Sequence, residues 1–299
     1  MHTFFNPNAP FPTWQQFLAR PDNKGLNVMQ AKQKYLNEQA NYYRMIPPTP
    51  SFASAAGGAG STDTGPTFTN RFALNFDGSD DVVETSDGVT SYLNGVSQMS
   101  FSLWFNLDAA VINKAFISDR PVGNNNATNG HFNMFTKTVS GDNYSARLYL
   151  THPDSVEASI QISGTPFTAG QWHNLVMTFN AGTVKFYVDG SAVSSGIYRA
   201  NNGIPTTLGS TGKALTIGKS VGTLFWDGKI DEPAIYLTEL TSDQVTTIYN
   251  QGVPGDISSL NPVAWYRFEE GSGTTAIDAG SGGNDATISG ATYSTDIPS

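Results

Sequence analysis

The chain contains no cysteine, so neither a disulfide framework nor thiolate chemistry is open to it. Charge is sparse too. Asp, Glu, Lys and Arg make up 14% of the 299 residues, against about a quarter in an ordinary globular domain, which argues against long solvated helices. No apolar run approaches the roughly 20 residues that span a bilayer, and the opening Met1-His2-Thr3-Phe4-Phe5-Asn6-Pro7 has neither the basic start nor the apolar stretch of a secretory leader. The expectation is a soluble chain made in a cytoplasm, without membrane insertion. Positive charge is scarcer than negative: 16 Lys and Arg stand against 25 Asp and Glu, the net charge is -9, and an acidic body repels phosphates, which argues against nucleic acid as a partner.

Glycine (30 residues) and aromatics (12%) are plentiful, a balance that favours turns and strands. The clearest local signal lies between Gln171 and Gly190. Leu175, Met177 and Phe179 alternate, then Val184, Phe186 and Val188, around the turn residues Asn180, Ala181 and Gly182. Period two with a glycine-bearing turn predicts a β-hairpin with those six side chains on one face and Val176, Thr178, Lys185 and Tyr187 on the other. An apolar sheet face needs a second layer, so the rest of the chain is expected to complete a sandwich. Further strands are expected at 72–76, 99–106, 115–118, 131–137, 145–151, 157–163, 215–218 and 228–237. Thr241 is expected to cap a short helix reaching 251. Residues 120–130 and 197–212 read as long polar loops, where sandwiches commonly carry function.

The part of the chain before Phe68 differs in character. Residues 1–50 hold five basic residues (Arg20, Lys24, Lys32, Lys34, Arg44) against two acidic ones, and the remainder holds 11 against 23. Phe4, Phe5, Phe11, Trp14 and Phe17 are interrupted by Pro7, Pro10, Pro12 and Pro21, so this arm cannot build its own core and its aromatics need another surface. Residues 26–46 read as an amphipathic helix with Met29, Leu36, Ala40 and Tyr43 near one stripe, ended by Pro47-Pro48. Residues 51–67, rich in Gly, Ala, Ser, Thr and Pro, read as a linker. The domain proper is expected at 68–299. Phe4, Phe5, Phe11, Trp14, Phe17, Leu36 and Tyr43 are the expected partner-binding residues.

Several motifs then fall in a telling order: Phe76-Asp-Gly-Ser-Asp-Asp-Val-Val, Met99-Ser-Phe-Ser-Leu-Trp-Phe, Gly170-Gln-Trp-His-Asn-Leu-Val-Met-Thr-Phe, Val184-Lys-Phe-Tyr-Val-Asp-Gly and Trp226-Asp-Gly-Lys-Ile-Asp-Glu-Pro-Ala-Ile-Tyr. This set, over roughly 70–251, resembles the laminin G-like, concanavalin A-like jelly-roll superfamily, and implies a mainly β, two-sheet jelly-roll sandwich. Pro262-Val-Ala-Trp-Tyr-Arg-Phe-Glu-Glu-Gly resembles the segment that usually begins such a domain. Its place at the end implies a circular permutation in which residues 262–299 supply a displaced first edge strand; a segment this short cannot build a second core. The junction near Tyr249 and the ending after Ala291 resemble virion proteins of marine tailed phages, including cyanophages. That resemblance implies a virion structural protein, a capsid decoration or an appendage fibre. Residues 1–50 would bind other virion subunits, a homo-oligomer being one form of partner, and the sandwich would be displayed outward. The alternative it implies is an adhesin for a host surface glycan, with a glycoside hydrolase as a third reading.

The candidate chemistry follows from the same resemblance. Members of the superfamily often hold Ca²⁺ at the sandwich edge, which makes Asp77, Asp80, Asp81 and Asp231 the candidate ligands, against a plain turn-forming role for Asp77-Gly78 and Asp227-Gly228. For a glycan, Trp226 with Phe225 and the loop Asn124, Asn125, Asn126 fit in kind, while Trp104, Trp172 and Trp265 read as core, with a core place as the alternative reading for Trp226 too. Hydrolysis needs two carboxylates across a cleft. Asp231-Glu232 and Glu269-Glu270 are adjacent on strands and are expected to face opposite ways, and the Glu-x-Asp-x-x-Glu spacing of hydrolases with this fold is lacking. The expectation is no enzyme activity. His2, His131, His152 and His173 show no metal spacing, His173 reads as structural, and the glycine clusters at 57–60 and 280–283 lack the Lys-Ser/Thr of a phosphate loop.

Overall fold

The computed structural model describes residues 20–24, 68–119, 132–151, 157–200, 203–209, 214–220 and 224–299. The chain divides into two units, Met1–Gly65 and Pro66–Ser299. In the first, the described part is a single 3₁₀ turn, Pro21–Asn23, with proline at the first helical position, where its missing N–H costs nothing. The helix expected at 26–46, the linker at 51–67 and the aromatic positions Phe4, Phe5, Phe11, Trp14, Phe17, Leu36 and Tyr43 lie outside the described residues.

The second unit is a two-sheet antiparallel sandwich. Its first half runs β1 (Ala73–Asp77), β2 (Val82–Thr85), the short helix α1 (Asp87–Ser91), β3 (Gln98–Leu107), β4 (Ala115–Ser118), β5 (Phe132–Ser140), β6 (Asn143–Thr151), β7 (Glu157–Ile162) and β8 (Phe167–Thr168). The middle holds β9 (His173–Asn180), β10 (Thr183–Val188), β11 (Ser191–Val193), β12 (Ser195–Ala200), β13 (Thr216–Ile217), β14 (Asp227–Tyr236) and helix α2 (Ser242–Tyr249). The tail adds β15 (Ala264–Trp265), β16 (Thr275–Ala276), β17 (Ala286–Ser289) and β18 (Thr292–Ser294). One sheet has the order β11-β10-β9-β3-β14-β1-β18, with β15 also paired to β14; the other has β12-β7-β6-β5-β4-β13-β2-β17-β16, with β8 on β6.

The hairpin forms where alternation predicts it. Asn180 pairs with Thr183 and Leu175 with Val188, and the two-residue loop Ala181-Gly182 has φ of 42° and 91°, the double positive φ of a turn whose twist suits a hairpin. Leu175, Met177, Phe179 and Phe186 are fully buried between the sheets with Phe101, Phe105, Leu148 and Ile160. The other face is also covered. Val176 and Tyr187 join Ala234, Tyr236, Val245, Ile248 and Trp265 in a second apolar cluster, built where α2 lies on the outside of the first sheet. Thr241 caps α2 by accepting from the Gln244 amide, while the Gln244 side chain accepts from the Thr241 amide, the reciprocal capping box.

Residues 262–299 are an integral part of both sheets. β15 pairs with β14 and β18 with β1 on the first sheet, while β17 pairs with β2 on the second. The tail thus supplies strands to both sheets, where the sequence reading gives it one edge strand. Gly228 of the Trp-Asp-Gly motif allows β14 to lie close against β3: a Cβ there would sit 2.1 Å from the Asn106 carbonyl oxygen, at a φ of 136° that side chains rarely adopt.

Candidate functional site

The outer face of the second sheet carries a groove of about 480 Å³ over β5, β6, β7 and β12. Alternation places it. Ala146, Leu148 and Ile160 point into the core, so Arg147 and Gln161, partners in the β6–β7 register, point out. Two β-bulges shape the walls. The β5–β6 register shifts between Lys137 and Val139, leaving Thr138 at a φ of 50°. The β7–β12 register shifts between Ile197 and Arg199, leaving Tyr198 as the extra residue. Bulges re-aim side chains, and a β-branched residue at positive φ is strain that the surrounding structure must hold.

Gln161 Oε1 accepts from Arg147 Nε at 3.1 Å and from its Nη2, and Gln161 Nε2 donates to Thr138 Oγ1 at 2.7 Å. The guanidinium carbon lies 3.4 Å from the Tyr198 ring centroid. Arg147 is only 8% exposed while Tyr198 is 65% and Ile197 61% exposed: the charge forms the floor and the aromatic ring forms an open wall. Ser163, Gly164 and Thr165 close one end. Lys137 stands beside this floor with Nζ donating to Asn113 Oδ1 at 2.7 Å; burial, then the Arg147 charge, hold its pKa below the usual lysine range. An exposed ring over fixed polar groups is the arrangement that holds a sugar by stacking and hydrogen bonds.

The residues predicted from sequence fare differently. Asn124, Asn125 and Asn126 lie outside the described residues; the strand ends flanking their loop, Ser118 and Phe132, stand at the same end of the sheet as the β6–β7 connection. Trp226 is a correction: it is fully buried, packed against Phe105 and Phe116 at 5.7 and 4.6 Å between centroids, and offers no face to a ligand. The polar loop expected at 197–212 is also corrected, since Ile197 to Ala200 belong to β12. Trp172 is half-buried and donates to Asp296 Oδ1 at 3.0 Å. Trp104 is buried under Tyr249 on the outside of the first sheet.

For a cation, Asp77, Asp80 and Asp81 offer oxygens within 4.8 Å of one another. Two oxygens are engaged in the turn itself: Asp81 Oδ2 accepts from the Asp77 amide at 2.8 Å and Asp77 Oδ1 from the Ser79 amide at 2.9 Å. Burial, with the Asp77 and Asp80 charges adding to it against the Asp77 hydrogen bond, raises the pKa of Asp81. Such a set has the hard-oxygen chemistry of a Ca²⁺ site but fewer than the roughly six to eight ligands the ion takes, so carbonyls or water would have to complete it. Asp231 is a correction. Asp77 pairs with Asp227, and Asp231 lies four positions further along β14, about 13 Å away at strand spacing.

Asp231 and Glu232 form a different cluster. A bulge between Asp231 and Ala234, with Glu232 at a φ of 51°, breaks the alternation expected of neighbours, so both carboxylates are buried, at 0% and 4% exposure. Asp231 Oδ2 accepts from Asn70 Nδ2 at 2.8 Å and its Oδ1 from the Glu232 amide at 2.9 Å. Glu232 accepts from Trp265 Nε1 and pairs with Arg267 at 3.3 Å, and Arg267 lies 4.1 Å over the Phe68 ring. Burial dominates both carboxylates, raising Asp231 well above its usual range and Glu232 to about 8. The oxygens of both carboxylates are thus engaged by protein groups: the Asn70 amide, the Glu232 backbone, the Trp265 indole and the Arg267 guanidinium. His173 is likewise structural: its Nε2 accepts from the Thr168 amide at 2.9 Å, which leaves Nδ1–H to donate to Asp189 at 2.8 Å.

Sequence reasoning missed Arg147, Gln161 and Tyr198. The available signal was the alternating run Tyr144-Ser-Ala-Arg-Leu-Tyr-Leu, in which an arginine and Tyr149 share the solvent face of a strand.

A family model described as the concanavalin A-like lectin/glucanases superfamily matches residues 77–246. No curated protein matches the sequence. Among solved structures, the chain is similar to a candidate carbohydrate-binding protein from Bacteroides ovatus, with a TM-score of 0.54 at 16% identity over 77% of this chain; it covers 62% of that protein's length. It is also similar to a heptameric SAP-like pentraxin from Limulus polyphemus (TM-score 0.48, 15% identity, 74% of this chain and 96% of that one). A third is domain 4 of a GH43 extracellular arabinanase from Geobacillus stearothermophilus in complex with arabinotriose (TM-score 0.43, 21% identity, 59% and 76%). Identities this low speak to fold alone.

Proposed function

Because the chain belongs to the concanavalin A-like lectin/glucanases superfamily, we propose that residues 66–299 are a carbohydrate-binding module whose groove over β5, β6, β7 and β12 takes the sugar. The observation that carries this reading is the open Tyr198 ring, 65% exposed, held over Arg147 and Gln161 by a bulge. The likeness to the Bacteroides ovatus candidate carbohydrate-binding protein supports it. Binding without hydrolysis is favoured because the closely placed buried acids, Asp231 and Glu232, are turned into protein hydrogen bonds. The test is a glycan array probed with the full chain and with Tyr198→Ala. Hits lost in the variant, at unchanged melting temperature, are expected; an array without hits ends the carbohydrate reading.

We further propose that this module is the exposed part of a tailed-phage virion protein, a capsid decoration or appendage fibre, anchored through residues 1–50. Two things support the anchor: the aromatic, proline-broken composition of the arm from Phe4 to Pro21, and the division of the chain into separate units at 65/66. Particles assembled with a chain lacking residues 1–50 are expected to be without it, and incorporation of that chain at wild-type copy number would end the anchoring reading.

A further inference from the structure

Arg147 is a buried charge whose described partners do not neutralise it. A guanidinium has five N–H donors. Two are spent on the single amide oxygen of Gln161, and one face of the ion rests on Tyr198. Among the described residues no carboxylate pairs with Arg147, and none of the residues lining the groove is acidic. Lys137, on the neighbouring strand, adds a second positive charge whose proton affinity burial lowers first and the Arg147 charge second. This is the reverse of the molecule's overall balance, which is -9.

Holding a cation this deeply buried without a counter-ion is costly, and a neutral amide and a ring offset only part of that cost. The three remaining N–H donors form part of a rigid planar fork at the floor of an open groove. A planar or tetrahedral oxyanion matches such a fork with two parallel hydrogen bonds, and would also relieve the repulsion between Arg147 and Lys137.

We propose that the groove selects acidic saccharides, with Arg147 binding the sugar's carboxylate or sulfate ester while the sugar ring packs on the exposed part of Tyr198. The inference rests on the carbohydrate-binding reading and adds the chemical class of the ligand. Gln161 and Thr138 act as positioning residues: the Thr138–Gln161–Arg147 chain of hydrogen bonds fixes the fork in plane.

The test titrates the full chain calorimetrically with a trigalacturonate, its methyl ester, a sulfated galactan oligosaccharide and its desulfated form. The acid is expected to bind about tenfold or more tightly than its ester, or the sulfated form than the desulfated one, with added NaCl weakening the charged ligand alone. Arg147→Gln should abolish the preference, and Arg147→Lys, which lacks the fork, should keep a small part of it. Should Arg147→Gln fail to fold, Lys137→Gln, which removes the half-buried charge on the strand beside Arg147, should still narrow the preference several-fold. Preference in the first pair alone assigns a carboxylate, and in the second alone a sulfate ester. Equal affinity within both pairs, or array hits confined to neutral glycans, overturns the inference and leaves the carbohydrate reading in place; no binding to any glycan overturns both.

Discussion

Trp265 donates its indole N–H to Glu232 across 33 positions of sequence, and through that bond the last segment of the chain is tied to the central strand of the first sheet. Glu232 sits on the bulge of β14, Trp265 on β15 beside it, and Phe68 stacks parallel to the indole at 6.2 Å between centroids. The point where the chain enters the sandwich and the segment that closes it therefore meet at the Trp265 indole, which the Glu232 carboxylate holds in place.

That carboxylate should make stability depend on pH. Burial raises Glu232 from 4.5 to about 8, against the opposing pull of Arg267 and Trp265, so the folded state holds a proton that the unfolded chain has lost above pH 4.5. The folded state binds more protons across that window, and stability falls as pH rises from about 5 to 8, by up to roughly 1.4 kcal/mol per pH unit for one group. Asp231, raised by burial and by the Glu232 charge, acts in the same direction. Urea unfolding of the wild type and Glu232→Gln at pH 5, 6.5 and 8 checks this. The variant's profile should be flatter, and parallel profiles would refute the assignment.

Removing the tail should remove the fold. Residues 262–299 contribute Val263, Trp265, Tyr266, Phe268 and Ile288, each at most 4% exposed, and their loss would bare β14, β1 and β2 to solvent. Burial of such side chains is worth about 1.5 to 3 kcal/mol each, more together than a domain's usual margin of roughly 5 to 15 kcal/mol can lose. A chain ending at 261 should give no cooperative thermal transition by circular dichroism.

Trp226→Ala separates packing from recognition. Its ring fills the space beside Phe105 and Phe116, so truncation should cost about 3 to 5 kcal/mol by leaving a cavity. Glycan affinity below the lowered melting temperature should stay as in the wild type. A stable variant that has lost binding would return Trp226 to the ligand site.

Strands in the sequence were legible wherever one face is buried, because period two is then written in the residues: Leu175, Met177 and Phe179 are the clearest case. Thr241 announced the start of α2 by the same directness, and the structure adds Gln244 as its reciprocal partner. The groove was not legible. It rests on Thr138 and Tyr198 at bulges, where one added residue shifts the register, and on Arg147 of β6 meeting Tyr198 of β12, two strands far apart in the sequence. Two-residue strands such as β8 and β16 carry too few residues for alternation to register. Asp231-Glu232 misled for a related reason, since the bulge between Asp231 and Ala234 cancels the rule that neighbours face opposite ways. Trp226 misled because composition marks an aromatic near a turn without saying which side of the sheet it takes.

Calcium is expected to act through the β1–β2 turn alone. Asp77, Asp80 and Asp81 bring three carboxylates together and repel one another without a cation, whereas Asp231 is committed to Asn70 and the Glu232 amide. Few ligands and two exposed carboxylates place the affinity near the weak end for Ca²⁺, a Kd of about 10⁻⁴ to 10⁻³ M. Saturation at about 10 mM would then add about 1.4 to 2.7 kcal/mol, a rise in Tm of roughly 3 to 10 °C for a domain of this size. Differential scanning fluorimetry with and without Ca²⁺ should show that rise in the wild type and in Asp231→Asn, and its loss in Asp80→Asn. Asp80 makes the sharper probe because its side chain is exposed, so its replacement changes the charge of the turn without opening the core. An unchanged Tm in the wild type at that Ca²⁺ concentration would leave the three aspartates as turn formers only.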